Sequence, residues 1–357
     1  MAIPKTFKAA IMQEAGAQHI IEDRSLAPLE KGEVGIKITA TAINPVDWKM
    51  RDYKFFLSEF PAVAGSDGAG EIVAVGPEVD GLVEGDRVFF QGIIGKYDYS
   101  TFQQYCKMPA ALVGKTPKNI TDEQAGGISL ATVAVLTAFY DKATGHGLTP
   151  PWDKDGNQVG KDKAIVILGG SSSVGQYAIQ MAKLSGFSKV ITNSSAAHEQ
   201  HLKSLGADVV LDRSKQSEPS DFASAVGDLP LAFVFDAISA KSTLLLGVKI
   251  VQTTKTQNTY VYAVQMNADE EVKKLGEQEP KTSVKPVLGL GSKPELRYLS
   301  EALMKNLGGE DGYIAKGLYK PNRPVVVPGG LSAIETALKR NKDGVSGEKV
   351  VIKPQES

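Results

Sequence analysis

Two glycine-rich stretches of this 357-residue chain have the composition of a phosphate cradle: GSDGAG at 65–70 and LGGSSSVGQ at 168–176. Such a turn holds a pyrophosphate when it joins a strand to a helix. The helix start then points its amides and dipole at the phosphate, and glycine leaves no side chain in the way. The second stretch meets that condition. It follows KAIVIL and opens into VGQYAIQMAK, where Val174, Tyr177, Ala178, Met181, Ala182 and Leu184 recur at helical spacing. Gly170, Ser171, Ser172, Ser173, Val174 and Gly175 are therefore the expected cofactor contacts. Gly169 and Gly170 begin the turn and Gly175 sits where helix and strand must pack closely, although the spacing is not a strict G-x-G-x-x-G and an ordinary βα turn with a serine N-cap would read similarly. GSDGAG fails the test, because EIVAVG after it reads as a strand and supplies no helix dipole.

Cofactor preference is written about 20 residues beyond the turn, at the end of the second strand, where an acid would hold the ribose 2′-hydroxyl of NAD. Here that strand ends ITNSSAAHEQ, with Asn193 and no acid before Glu199. Ser194 and Ser195 can donate to a 2′-phosphate, His198 adds charge when protonated, and Arg213 follows the third strand in VVLDRS. Solvated loop residues would look alike, but the missing acid favours NADPH.

These residues need elements to carry them. The first 125 residues are read as β-rich, with short strands at 33–43, 70–76 and 85–92 punctuated by glycine and proline. From Thr121 onward, helical segments alternate with apolar strands at 164–170, 189–195, 209–212, 231–238 and 258–264. That alternation predicts an α/β architecture with a doubly wound parallel sheet, its NTYVYAV strand lying at the edge. After residue 290 the pattern returns to an amphipathic helix and then strand, helix and the final strand EKVVIK. The expected organisation is a discontinuous substrate domain over 1–125 and 291–357, with a nucleotide domain over 126–290 inserted in it.

Composition narrows the classes. A net charge of -1 gives no footprint for nucleic acid or anionic membrane. The single cysteine, Cys106, permits neither an internal disulfide nor a thiolate zinc site. The N-terminus lacks the apolar segment of a signal peptide, and ISLATVAVLTAF at 128–139 is too short to span a bilayer. A soluble, cytoplasmic protein is expected.

The β-rich start, LGGSSSVGQYAIQMAK with LGAD after it, and the closing SGEKVVIK together resemble the medium-chain dehydrogenase/reductases over nearly the whole chain. The resemblance implies a GroES-like domain followed by a Rossmann domain. AINPVDWKMRD (42–52), AGSDGAGEIVAVG and VVVPGGLSAIETALKRNKDGVSGEKVV are similar to the zinc-independent quinone and enoyl reductases, and in particular to the fungal trans-acting enoyl reductases. Against the zinc-dependent alcohol dehydrogenases of the superfamily, Ser66 takes the place of a zinc-ligating histidine, Asp67 that of the following acid, and Asn44 roughly that of the first cysteine ligand. Of the cysteines of the structural zinc, only Cys106 is present. No metal is therefore expected.

Without zinc, hydride donation from NADPH to the β-carbon of a polarised C=C remains, and it needs a donor at the carbonyl oxygen where enolate charge develops. The resemblance points to Lys49 as that donor, in contact with cofactor as well. It also implies cofactor contacts at Val46, Thr132, Val345 and Ser346. Asn44 and Asp47 are expected to shape the NPVD turn and line the substrate pocket, and Tyr97 and Tyr99 to wall it or simply to cap a loop. Thr132 and Thr137 equally suit helix packing. The implied activity is reduction of an enoyl thioester, enone or enal. Quinone reduction and non-catalytic NADPH binding are the alternatives, and a polyketide synthase acyl carrier is a candidate partner. Monomer and homodimer both remain open.

Overall fold

The computed structural model describes residues 3–254, 256, 259–265 and 269–357. The chain divides into two compact units, Met1–Leu130 with Leu290–Ser357, and Ala131–Gly289. In the first come β1 (Phe7–Met12), β2 (Ile20–Arg24), β3 (Glu33–Ala42), α1 (Pro45–Tyr53), β4 (Ala62–Val63), β5 (Gly68–Val75), β6 (Arg87–Phe90), β7 (Tyr105–Pro109), β8 (Val113–Lys115) and α2 (Asp122–Ala125). Helix α3 (Ser129–Tyr140) leads into the second unit. That unit holds β9 (Ala164–Leu168), α4 (Ser173–Leu184), β10 (Lys189–Ser194), α5 (Glu199–Leu205), β11 (Val209–Asp212), α6 (Pro219–Val226), β12 (Leu231–Asp236), α7 (Lys241–Thr253), β13 (Tyr260–Ala263), α8 (Glu270–Gly276) and β14 (Ser283–Pro286). The chain returns to the first unit with α9 (Arg297–Leu307), β15 (Arg323–Val326), α10 (Ile334–Asp343) and β16 (Glu348–Ile352).

Strand β3 organises the first unit. Its sequence EVGIKITATA is apolar at nearly every inward position, and it pairs antiparallel with β5, β7 and β16. The large sheet runs β15-β16-β3-β5-β6-β8 with β7 on β3, and a smaller sheet runs β2-β1-β4. Register shifts in β3 at Gly35/Ile36 and Ile38/Ala40 mark the irregularities that bend a sheet toward closure. Gly68 and Gly70 of GSDGAG belong to β5 of this sheet. A Cβ on Gly70 would stand 2.1 Å from the Lys37 carbonyl oxygen, so the residue is small to let β5 close on β3. One core lies under β3, β5, β6 and β7 and includes Val34, Ile36, Ile72, Phe90, Cys106 and Met108. Burial drives the Cys106 thiol well above its ordinary pKa, which makes it an inert core residue. A second core joins Met12, Ile43, Met50 and Phe102 to Ile334, Leu338, Val350 and Ile352.

The second unit is a six-stranded parallel sheet in the order β11-β10-β9-β12-β13-β14. Counted from β9, that is the 3-2-1-4-5-6 order of a doubly wound dinucleotide fold, and the strand order reverses between β9 and β12. Strands β9 and β12 read as continuous apolar runs, AIVIL and LAFVFD, because helices cover both faces of such a sheet. The NTYVYAV strand is not at the edge. Tyr260–Ala263 is flanked on its outer side by the parallel strand Ser283–Pro286, whose four residues SVKP carry too little pattern to read as a strand. Asn258 of that stretch lies outside the described residues.

Helices α1 and α10 are joined in the first unit by Glu335. Its carboxylate accepts the His19 amide at 2.9 Å and the His19 Nδ1 at 2.7 Å, and it pairs with Arg51. Burial pushes the Glu335 pKa up, but the hydrogen bonds from His19 and the charges of His19 and Arg51 outweigh it and bring it down from 4.5 to about 2. A lowered carboxylate pKa contributes stability that is complete above the unfolded value of 4.5 and is lost as pH falls through about 2. Unfolding free energies from urea melts of wild type and Glu335→Gln should therefore differ most near pH 6, by about 2 kcal/mol, and converge as the pH is lowered. A gap that stays constant across that range would contradict the role given to this carboxylate.

Candidate active site

In the second unit, β9 ends at Leu168 and the chain turns through Gly169 (φ +78°) into α4. Ser172 caps the helix, its Oγ accepting the Gly175 amide at 3.0 Å. Two contacts explain the other glycines. A Cβ on Gly170 would meet Thr192 Oγ1 at 2.2 Å, and one on Gly175 would meet the Gly169 carbonyl at 2.2 Å. The turn is thus pressed against β10 and its own backbone from below, with Ser171, Ser172, Ser173 and Val174 half-buried above. A bare turn at the strand-order reversal that opens onto a helix start is what a dinucleotide pyrophosphate requires, so the residues present fit that group.

Asn193 has a role that the sequence reading did not give it. Its side-chain Oδ1 accepts the Gly169 amide at 2.9 Å and its main-chain carbonyl accepts the Gly170 amide at 3.1 Å. The residue near the place of an NAD-type acid is committed to holding the phosphate turn. The signal was present, since asparagine is unusual inside a buried parallel strand, but a hydrogen bond across strands is invisible without the register.

At the ends of β10 and β11 the structure brings together four expected residues. Arg213 donates its amide to the Ser194 carbonyl at 2.9 Å, and His198 donates its amide to the Ser195 carbonyl at 3.0 Å. Ser194 is buried and its hydroxyl donates to the Ser195 carbonyl at 2.9 Å, which corrects the expectation that both serines offer a donor outward. Ser195 is half-buried and Arg213 exposed. The nearby acids are occupied: Asp212 accepts from the Ser214 amide and hydroxyl, and Glu199 pairs with Lys203.

In the first unit, Pro45 at the first position sets α1, and Asn44 is its N-cap. The Asp47 carboxylate reaches back to the Asn44 amide at 2.7 Å and accepts the Ser66 hydroxyl at 2.9 Å. Asn44 Nδ2 donates to Asp67 at 3.2 Å, and Asp67 also accepts the Leu130 amide at the start of α3 at 3.0 Å. Asn44, Ser66 and Asp67, the positions set against zinc ligands by resemblance, converge in one buried cluster. At its centre is a residue the sequence reading passed over, Lys349 of β16. Its ammonium donates to Asn44 Oδ1 at 2.5 Å and lies 3.6 Å from Asp67. Burial raises the Asp47 pKa to about 7 against the pull of the Asn44 amide, Ser66 and Lys349. It raises that of Asp67 to about 6 against the opposing charge of Lys349, while burial lowers the lysine itself. Among the described residues, no group of three or more His, Cys, Asp or Glu is placed to hold a metal ion.

Lys49 lies one turn into α1, half-buried, its Nζ 5.3 Å from the centre of the Trp48 ring, and burial lowers its pKa. Val46, Trp48, Tyr97 and Val345 each pack, half-buried, against the core shared by α1 and α10, and Ser346 is exposed. The Tyr97 hydroxyl is bonded to the Glu59 carbonyl. Tyr99 instead turns to the barrel core, where its hydroxyl donates to Glu33 and its ring lies under Lys107 in a buried ion pair. That commitment corrects its placement on a pocket wall. Thr137 returns its hydroxyl to the Val133 carbonyl at 2.9 Å, the helix-packing arrangement, and Thr132 is buried.

The family model "Alcohol dehydrogenase GroES-like domain" matches residues 30–118, and the model "Zinc-binding dehydrogenase" matches residues 173–254. The chloroplastic NADPH-dependent alkenal/one oxidoreductase of Arabidopsis thaliana is 32% identical over 80% of this chain and 73% of its own. A trans-enoyl reductase of Aspergillus japonicus is 30% identical over 90% of this chain and 89% of its own. The solved quinone oxidoreductase of Coxiella burnetii shares the fold, with a TM-score of 0.70 at 22% identity over 98% of this chain and 99% of that one. No helix among the described residues is long and apolar enough to cross a membrane. With both domain models matched in chain order and relatives of this identity spanning most of both chains, the protein belongs to the medium-chain dehydrogenase/reductase family.

Proposed function

We propose that the protein is an NADPH-dependent reductase of activated C=C bonds in enones, enals or enoyl thioesters. The observation that carries this reading is the glycine turn at 169–175, set at the strand-order reversal and held by Asn193 of a strand β10 that carries no acid. Relatives named for NADPH-dependent alkenal/one reduction and for trans-enoyl reduction support it. NADPH, when bound, supplies a hydride. The start of α4 would hold the pyrophosphate through the amides above the bare turn, and Ser195, Arg213 and His198 would hold the 2′-phosphate.

Lys49 serves the substrate. As hydride arrives at the β-carbon, the π electrons move toward the carbonyl, and negative charge collects on its oxygen. An ammonium beside that oxygen stabilises the enolate more than the ground state, and partial desolvation strengthens the interaction. A proton from solvent then completes the α-carbon. Asn44 and Asp47 fix the first turn of α1 and so the direction in which Lys49 points. A thioester on an acyl carrier is the substrate form that the trans-enoyl reductase likeness favours, and a reducing cytoplasm suits the free, buried Cys106.

Purified protein should oxidise NADPH with a crotonyl thioester, a simple enone or an enal. Lys49→Ala should lower kcat about 100-fold while leaving NADPH affinity within a factor of two or so, because the lysine acts on developing charge. Turnover unchanged in that variant would remove the role, and no turnover with any acceptor despite tight NADPH binding would overturn the reductase reading. Ser195→Ala with Arg213→Ala should raise KM for NADPH by about 10-fold or more and leave KM for NADH unchanged, since only the 2′-phosphate loses partners. Equal losses with both cofactors would show that these residues do not read the phosphate.

A further inference from the structure

The cluster around Lys349 is costly, and the proposed reduction uses it only through the first turn of α1. Asn44, Asp47, Ser66 and Asp67 are at most 2% exposed and Lys349 4%. A buried ion pair seldom repays its desolvation unless further hydrogen bonds complete it. Here they do. The lysine stem passes Gly127, where a Cβ would come within 2.7 Å of Lys349 Cγ, so the glycine makes the room through which the ammonium reaches the cluster. The ammonium then bonds Asn44 Oδ1 and faces Asp67. Asn44 Nδ2 bridges to Asp67, with Ser66 Oγ at 3.5 Å, and Ser66 closes the ring on Asp47. The oxygens of the cluster come from Asn44 and Asp47 at the start of α1 and from Ser66 and Asp67 before β5, and the Leu130 amide at the start of α3 donates to Asp67.

We propose that the Lys349 ammonium is a built-in cation that does, from within the chain, the work of a bound divalent metal ion. It draws the carboxylate of Asp67 and the amide oxygen of Asn44 to one point, and so anchors the N-terminal turn of α1. Lys349 is a positioning residue. It reaches Lys49 only through Asn44 and the helix. Its removal leaves a hole faced by the Asp67 carboxylate and the Asn44 amide oxygen, hard oxygen donors of the kind that suit Mn²⁺ or Mg²⁺. The claim stands on the geometry of the first unit and is independent of the reductase reading.

The test uses thermal unfolding of the full chain, without substrate. Lys349→Ala should melt below wild type, and millimolar Mn²⁺ should raise its Tm by about 3 °C or more, because a ligand bound only by the folded state stabilises it. Wild type and the Lys349→Ala, Asp67→Asn double variant should not respond. If Lys349→Ala alone fails to fold, Lys349→Met decides against its double variant with Asp67→Asn: the double variant should fold and melt higher, its uncompensated charge gone. Mn²⁺ acting equally on wild type, a Lys349→Ala variant indifferent to Mn²⁺, or a double variant no more stable than Lys349→Met would each overturn the proposal.

Discussion

A charge buried without water must find its counter-charge inside the protein, and in the first unit that requirement is met by Lys349 beside Asp67. Much of the local architecture is arranged around this pair. Asn44, the N-cap of α1, has its side chain held by the ammonium on one side and by Asp67 on the other. Asp47, three residues on, returns to the Asn44 amide and takes the Ser66 hydroxyl, which fixes the first turn. The direction of Lys49 follows from that turn, and with it the candidate donor of the reaction.

The second unit solves a different problem by similar economy of position. A dinucleotide needs backbone amides with nothing in front of them, so the turn after β9 must be tight and bare. Gly170 and Gly175 make it tight, since any side chain at either would strike Thr192 or the Gly169 carbonyl. Asn193 then stitches the turn to the next strand through two hydrogen bonds. The same residue stands near where an NAD-preferring enzyme keeps its acid. Holding the loop and forgoing the acid are two consequences of one asparagine.

The parts of this arrangement that lie close together in the chain were legible in the sequence. The strand, turn and helix at 164–184 carry their own periodicity, and the parallel sheet follows from repeated alternation of short apolar runs and helices. The turn at Asn44–Pro45 with Asp47 behind it was equally local. What escaped depends on register between distant strands. Lys349 sits in EKVVI, where one lysine in an apolar strand reads as an outward residue, and only the pairing of β16 with β3 turns it inward beside Asn44, 305 positions earlier. Tyr99 failed for the same reason, its partner Glu33 lying on a strand that sequence alone cannot set beside it. Strand β14 is four residues long and half exposed, so neither length nor alternation announces it, and its neighbour was mistaken for the edge.

Transfer of hydride to carbon, rather than to a carbonyl, is the claim on which the functional reading turns, and isotope placement tests it directly. Reduction of a simple enone with NADPH deuterated at the nicotinamide C4 should place deuterium on the β-carbon of a saturated ketone, with a solvent proton at the α-carbon. Deuterium on a carbinol carbon, with the double bond intact, would show carbonyl reduction and contradict the assignment.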